Sequence, residues 1–190
     1  MKKIVSEQMS FCLRSTPFGP VVILWTFLGG TPRICRVVLS RPGCSAEQIV
    51  EASCPRIVYA SCTQIDAVAG KIEAFLHGED IRFSLEEINL DSCSVFQQKV
   101  LRAEQAIPRG FVSTYQRIAV HVGKPTGARA VGTALASNPF PVIIPCHRAI
   151  RTDGTLGGFQ GGIAMKQALL KAENVDFSEK GRVETEKVFY

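Results

Sequence analysis

Cys146, His147 and Arg148 follow one another directly, and Glu173 lies downstream of them. A cysteine attacks as its thiolate, and a neighbouring base supplies that character. Adjacent residues seldom bring their side chains into contact. The expected arrangement is therefore a water between Cys146 and His147, with Glu173 orienting the other imidazole nitrogen. A buried cysteine beside a structural histidine is the bland alternative, and a bare Cys-His pair would not displace it. The setting is less ordinary. In SNPFPVIIPCHRAI, residues 137–150, three prolines constrain the backbone. Asn138-Pro139 ends a helix, the Asn by turning left-handed and the Pro by refusing to continue. Pro139, Pro141 and Pro145 predict an extended, rigid path, and Val142, Ile143 and Ile144 predict its anchor in the core. Such a strut would hold Cys146 without many hydrogen bonds.

The elements that must carry this strut are legible. FCLRS, VVILWTFL and ICRVVLS are apolar, β-branched runs separated by the turns TPFGP and GGTPR, and they predict strands over residues 11–39. Ser45 with Gln48 predicts a capped helix through SAEQIVEA. Residues 63–78 place Ile65, Val68, Ile72, Phe75 and Leu76 at helical spacing before Gly78. His77, at that helix end, reads as a partner of the C-terminal dipole. Residues 1–90 thus predict a small α/β domain without chemistry of its own, and the polar INLDSCSV marks a boundary. Ser94 caps a helix that stops at Pro108. STYQRIAVHVG (113–123) and GARAVGTALASN (127–138) predict two short helices joined by a Gly/Pro turn, the pattern of a helix-turn-helix. A plain helical hairpin with a small-residue seam fits the same pattern. The segment 178–190 is polar and charged and receives no role.

Composition narrows the classes. The chain has 190 residues, a net charge of +5 and no apolar run long enough to span a membrane. MKKIVSEQMS lacks an apolar core behind its lysines, which predicts a cytosolic start without a signal peptide. The seven cysteines are odd in number and form no C-x-x-C pair, which disfavours a disulfide scaffold and a compact zinc site. Charge is uneven. Residues 1–90 hold nine basic and nine acidic side chains, whereas residues 94–171 hold ten basic and two acidic. A basic half beside a neutral half points to a polyanion partner, with a solvated basic face as the alternative.

NPFPVIIPCHRAIRTDGTLGGFQGG resembles the active-site signature of the O6-alkylguanine-DNA alkyltransferases, the suicide DNA repair proteins, with PCHR (Pro145 to Arg148) at its centre. FQQKVLRAEQAIPRG, VSTYQRIA, ARAVGTALASNP, GGFQGG and the K-x-x-L-L-x-x-E of Lys166 to Glu173 occur in that family's order. The likeness is strong over about residues 94–175. It is looser through the amino-terminal half, where TPFGPVVILW is also similar.

The resemblance implies an α/β + α fold: a ribonuclease H-like sheet with helix over 1–90, and a helical DNA-binding and alkyl-transfer domain with a helix-turn-helix over 91–177. It implies irreversible transfer of an alkyl group from O6-alkylguanine, with O4-alkylthymine a further substrate, to Cys146. His147 would be the base acting through water, Glu173 its orienting carboxylate and Asn138 the hinge of the active-site loop. The helix-turn-helix would enter the minor groove. Arg129 would fill the gap left by a flipped guanine, and Ala128 and Gly132 would permit close approach. Tyr115 would rotate the phosphate and donate to the guanine, supported by Lys166. Lys124, Gln116 and Thr152 would meet phosphates. Pro141, Phe159, Lys166 and Ala149 would wall the pocket. The expected partner is double-stranded DNA containing O6-alkylguanine. No cofactor, metal, membrane or obligate protein partner is expected, and the protein would be an intracellular monomer, cytoplasmic or, in a eukaryote, nuclear.

The sequence departs from the family where Ala149-Ile150 follows PCHR in place of Val-Val, and where Phe159 and Gln160 replace a tyrosine and a small polar residue. Three rival readings stay open. A lesion-binding protein without transfer usually lacks the cysteine. A helix-turn-helix regulator needs no Glu173. A cysteine hydrolase needs an oxyanion hole.

Overall fold

The computed structural model describes residues 9–184 and 187–190. Residues 1–8, which hold most of the amino-terminal segment read above as a cytosolic start, lie outside the described residues. Strands β1 (Ser10–Arg14), β2 (Val21–Leu28), β3 (Thr31–Leu39) and β4 (Val58–Tyr59) form a sheet of order β3-β2-β1-β4. β1 to β3 are antiparallel, and β4 runs parallel to β1. β2 is an unbroken apolar run because both faces of the sheet are covered. Val21, Ile23 and Trp25 face one core, and Val22 and Leu24 face another, as strand periodicity requires. Helix α1 (Ala46–Ser53) covers the second face. It begins at the predicted Ser45–Gln48 capping box. Helix α2 (Thr63–Leu76) covers the first with the predicted apolar stripe. A register shift opposite Leu24/Trp25 lets both Ile34 and Val37 point at α2.

Helix α3 (Val95–Ala106), capped by Ser94, leads into the second half. Strand β5 (Ser113–Thr114) pairs in parallel with β6 (Ala149–Ile150). Helices α4 (Tyr115–His121), α5 (Ala128–Ala136) and α6 (Ile163–Ala172) complete the chain. Among the described residues no helix is long and apolar enough to cross a membrane, and no group of three or more His, Cys, Asp or Glu is placed to hold a metal ion.

Several expectations need correction. Ser113 and Thr114 belong to a strand rather than to α4, because Thr114 is the cap whose hydroxyl accepts from the Arg117 amide. Asn138 is not left-handed; Ser137 terminates α5, and the left-handed residue is Val142, at φ +76°. The proline path is not extended. Pro141 bridges Ile144, and the Ile144 amide donates to the Phe140 carbonyl at 2.8 Å, so residues 140–144 close a tight turn. INLDSCSV is no free linker: Ile88 and Leu90 are buried, and Ile88 bridges Ile34 of β3. The carboxy-terminal segment, too, folds back. The Phe189 amide donates to the Val112 carbonyl, the Tyr190 hydroxyl donates to Ala103, and its ring stacks on His121 with centroids 3.8 Å apart.

One core joins the two halves. Residues of β1, β2, β3 and α2 pack in the same buried cluster as Leu101, Ile118, Phe140, Ile143 and Cys146. The Val37 amide of β3 donates to the Pro139 carbonyl at 2.8 Å, which ties the sheet to the turn that presents Cys146.

Candidate active site

The turn before Cys146 is held by a side chain. Asn138 is fully buried; its Nδ2 donates to the Ile144 carbonyl at 3.2 Å, and its Oδ1 accepts from the Phe140 amide at 2.9 Å. These bonds satisfy backbone groups that a tight turn leaves orphaned, and they hold β-branched Val142 in a conformation it rarely adopts. Cys146 then opens a single 3-10 turn, Cys146–Arg148. Its thiol is almost wholly buried. Burial pushes its pKa up to about 11, against a hydrogen bond from Asn138 and the charge of Lys166.

His147 has no exposed surface. Nε2 lies 2.9 Å from Glu173 Oε1, and Nδ1 is buried without a hydrogen-bond partner. Burial lowers the histidine pKa more than Glu173 raises it, so the ring is neutral near pH 7. Burial would raise the Glu173 pKa. The bonds and charges of His147 and Arg148 outweigh it and hold the carboxyl at about 2. An ionised carboxylate only accepts, so Nε2 carries the hydrogen and Nδ1 keeps its lone pair. Glu173 sits just past α6, as its C-cap, and left-handed Asn174 ends the helix there. Arg148, to which the sequence assigned no role, donates to both Glu173 oxygens (2.8 and 2.7 Å) and to the Ile107 carbonyl. Phe75 of α2 packs against the imidazole with centroids 5.8 Å apart, although its half was read as free of chemistry.

Cys146 opens onto a cavity of about 210 Å³ bounded by Tyr115, Gly132, Leu135, Phe159 and Gln160 among others. The pairing of β5 with β6 places Tyr115 beside the Cys146 turn, since Thr114 both ends β5 and caps α4. Burial, helped by Glu104 and Cys146, raises the Tyr115 pKa to about 12, so its hydroxyl remains a donor. Of the four expected wall residues only Phe159 lines the cavity. Ala149 is buried in β6, Pro141 in the turn, and Lys166 behind them. The Lys166 ammonium donates to the Ala149 carbonyl at 2.6 Å rather than to the Tyr115 hydroxyl. The Gln160 amide is already engaged by the Asn138 carbonyl, which ties the glycine-rich loop to the turn.

Gly157 seats the tyrosine. It has φ +70°, and a Cβ there would stand 2.6 Å from the Tyr115 hydroxyl. Gly157→Ala is expected to displace the ring and to cost about 1–3 kcal/mol of stability. Thermal unfolding checks this; an unchanged midpoint would mean that the loop yields freely.

The remaining candidates lie along α4, α5 and their connection. Arg129 and Lys124 are exposed, Ala128 and Gly132 are half-buried, and Thr152 is exposed in the turn after β6. Gln116 donates to the Pro125 carbonyl. Glu104, which the sequence reading passed over, is fully buried on α3 with neither carboxylate oxygen hydrogen-bonded. Its position one turn beyond Val100 and Leu101 was the available signal.

Comparison with known proteins extends these observations. The profile of the 6-O-methylguanine DNA methyltransferase DNA-binding domain matches residues 95–175. The methylated-DNA–protein-cysteine methyltransferase of Methanothermobacter thermautotrophicus is 40% identical over 111 residues, 58% of this chain and 62% of that protein. The Haemophilus influenzae protein of that name is 38% identical over 118 residues, 62% of this chain and 65% of its own length. The chain thus spans somewhat less than two thirds of these relatives. The solved O6-methylguanine methyltransferase of Mycobacterium tuberculosis superposes with a TM-score of 0.70 at 30% identity, over 87% of this chain and 93% of that one. Likeness of this extent runs past the segment around Cys146 and takes in the amino-terminal sheet. The chain belongs to the O6-methylguanine DNA methyltransferase family.

Proposed function

We propose that the chain repairs double-stranded DNA by taking the alkyl group from O6 of guanine onto Cys146, once per molecule. One observation carries this reading. A buried thiol opens on a closed cavity, and behind it stands a neutral histidine whose free Nδ1 is backed by an ionised carboxylate. The thiol proton passes through one water to Nδ1, and Sγ attacks the alkyl carbon. The S–C bond forms as the C–O6 bond breaks. The departing guanine takes a proton from the Tyr115 hydroxyl, which recovers the one held by His147, so atoms and charge balance.

A stacked base cannot offer O6 to a thiol at the floor of a cavity, so the guanine must be extruded. The fold divides accordingly. Residues 1–90 form a ribonuclease H-like supporting unit, and residues 91–177 form the transfer unit. In the latter α4 and α5 act as a helix-turn-helix laid in the minor groove. Arg129, exposed at the start of α5, fills the gap in the duplex. Ala128 and Gly132 present no bulk to the groove. Lys124 and Thr152 meet phosphates, and Gln116 does so with the amide hydrogen that Pro125 leaves free. The Mycobacterium tuberculosis OGT solved in complex with DNA shares this fold, with a TM-score of 0.65 at 29% identity over 92% of its chain. That likeness supports DNA as the partner. Within this reading Asn138 is the hinge of the loop, and the protein works as an intracellular monomer without a cofactor.

Intact-protein mass after incubation with a duplex carrying one O6-methylguanine tests the reading. Wild type should gain one methyl group per molecule and Cys146→Ser none. A wild-type protein that binds the lesion and gains nothing would be a lesion sensor.

A further inference from the structure

Glu104 is not used by the chemistry above. It sits wholly buried on α3 beside Val100, Leu101 and Ala103, and neither oxygen meets a donor in hydrogen-bond geometry. A buried acid without a partner is costly to keep ionised. Burial raises its pKa to about 8, against Lys166, Arg148 and the nearby Ala149 amide. The titratable and charged groups facing it are Lys166 from α6, Arg148 and Cys146 from the 3-10 turn, Tyr115 from α4, and Tyr190 from the carboxy-terminal segment.

These groups are not equally free. Arg148 is held in two bonds by Glu173. The Lys166 ammonium, also fully buried, donates only to the carbonyls of Ala149 and Gly158 and to no carboxylate. Ala149 joins the two sites: its carbonyl accepts from Lys166, and its amide faces Glu104. The negative charges that act on Lys166 are those of Cys146 and Glu104. One buried ammonium therefore stands before two acids.

We infer that Glu104 is a positioning residue for alkyl transfer, its carboxyl group competing with the Cys146 thiolate for the ammonium of Lys166. The inference rests on Cys146 being the alkyl acceptor. With Glu104 neutral, Lys166 offsets the thiolate. With Glu104 ionised, the ammonium is shared and the thiol keeps its proton. Glu104 ionises near pH 8 and Cys146 near 11, so in wild type the thiol titrates against a carboxylate already charged. Removing that charge lowers the thiol pKa.

The test is the rate at which iodoacetamide modifies Cys146, resolved by peptide mass across pH 6–10, for wild type, Glu104→Gln and Glu104→Leu. Both variants should lower the apparent Cys146 pKa by about one unit, so that modification at pH 8–9 rises roughly tenfold. An unchanged or raised value in folded Glu104→Gln overturns the inference. A fall in the Gln variant with none in a folded Leu variant also overturns it, because a new amide donor would then be the cause. In Glu104→Gln the ratio of transfer rates at pH 9 and pH 6.5, from methylated duplex, should also rise several-fold. A flat ratio with a shifted thiol would sever the link to transfer. Iodoacetamide needs no DNA, so a shifted thiol in a chain that takes no methyl group from DNA would refute the repair reading and leave the charge competition standing.

Discussion

Glu173→Ala should lose about 3–5 kcal/mol of stability and slow alkyl transfer by about 10²-fold or more. The first figure comes from breaking a buried ion pair on one side. Arg148 is 8% exposed, and without Glu173 its guanidinium keeps only the Ile107 carbonyl. The second comes from losing an oriented base. His147 Nδ1 has its lone pair because Glu173 claims the hydrogen on Nε2, and without that claim the ring can take the other tautomer. Denaturant unfolding and single-turnover transfer measure the two effects. A stability loss below about 1 kcal/mol would mean that Arg148 finds water. The acid limb offers a check of sign. Glu173 is ordinarily near 4.5 and is held near 2 in the folded chain. Its contribution is therefore complete above pH 4.5 and disappears as the pH falls from 4.5 towards 2.

Asn138→Ala should be nearly as severe, at about 2–5 kcal/mol. It leaves the Phe140 amide and the Ile144 carbonyl buried without partners, at about 1–3 kcal/mol each. It also frees Val142 to leave φ +76°, a conformation that persists only where the surroundings impose it. Loss of the Asn138 bond should raise the thiol pKa further, so iodoacetamide modification of Cys146 should slow as stability falls. Asn138→Asp keeps the acceptor for Phe140 and loses the donor to Ile144, and it should fall between the two. Wild-type stability in Asn138→Ala would show that the prolines alone shape the turn.

That second prediction marks where sequence reading stopped. Prolines at 139, 141 and 145 announce stiffness but not direction, and no propensity rule puts a valine in left-handed geometry. The strands and α1 were legible because glycines, prolines and a capping box punctuate them. Ser94 and Gly78 bounded their helices for the same reason. Cys146, His147 and Glu173 were legible as a set from residue type and from the family's motif order. The Arg148 pair with Glu173 was not, because it depends on how the end of α6 returns to the 3-10 turn. Glu104 was hidden in the charged string KVLRAEQA, where only its spacing from Val100 and Leu101 marks it as interior. Phe189 and Tyr190 were masked by the polar residues before them.

The hydrogen bond from Val37 to Pro139 and the contact of Phe75 with His147 bear on how this protein could be divided. A fragment starting at Ser94 would retain the thiol, its base, the carboxylate and both helices of the turn. It would lack the β-strand that fixes the Pro139 carbonyl and the ring behind the imidazole, and the apolar faces of Ile143 and Leu101 would meet solvent. The stretch of chain that performs the chemistry is shorter than the stretch that folds, and the amino-terminal half serves as the mould in which the reactive turn is set.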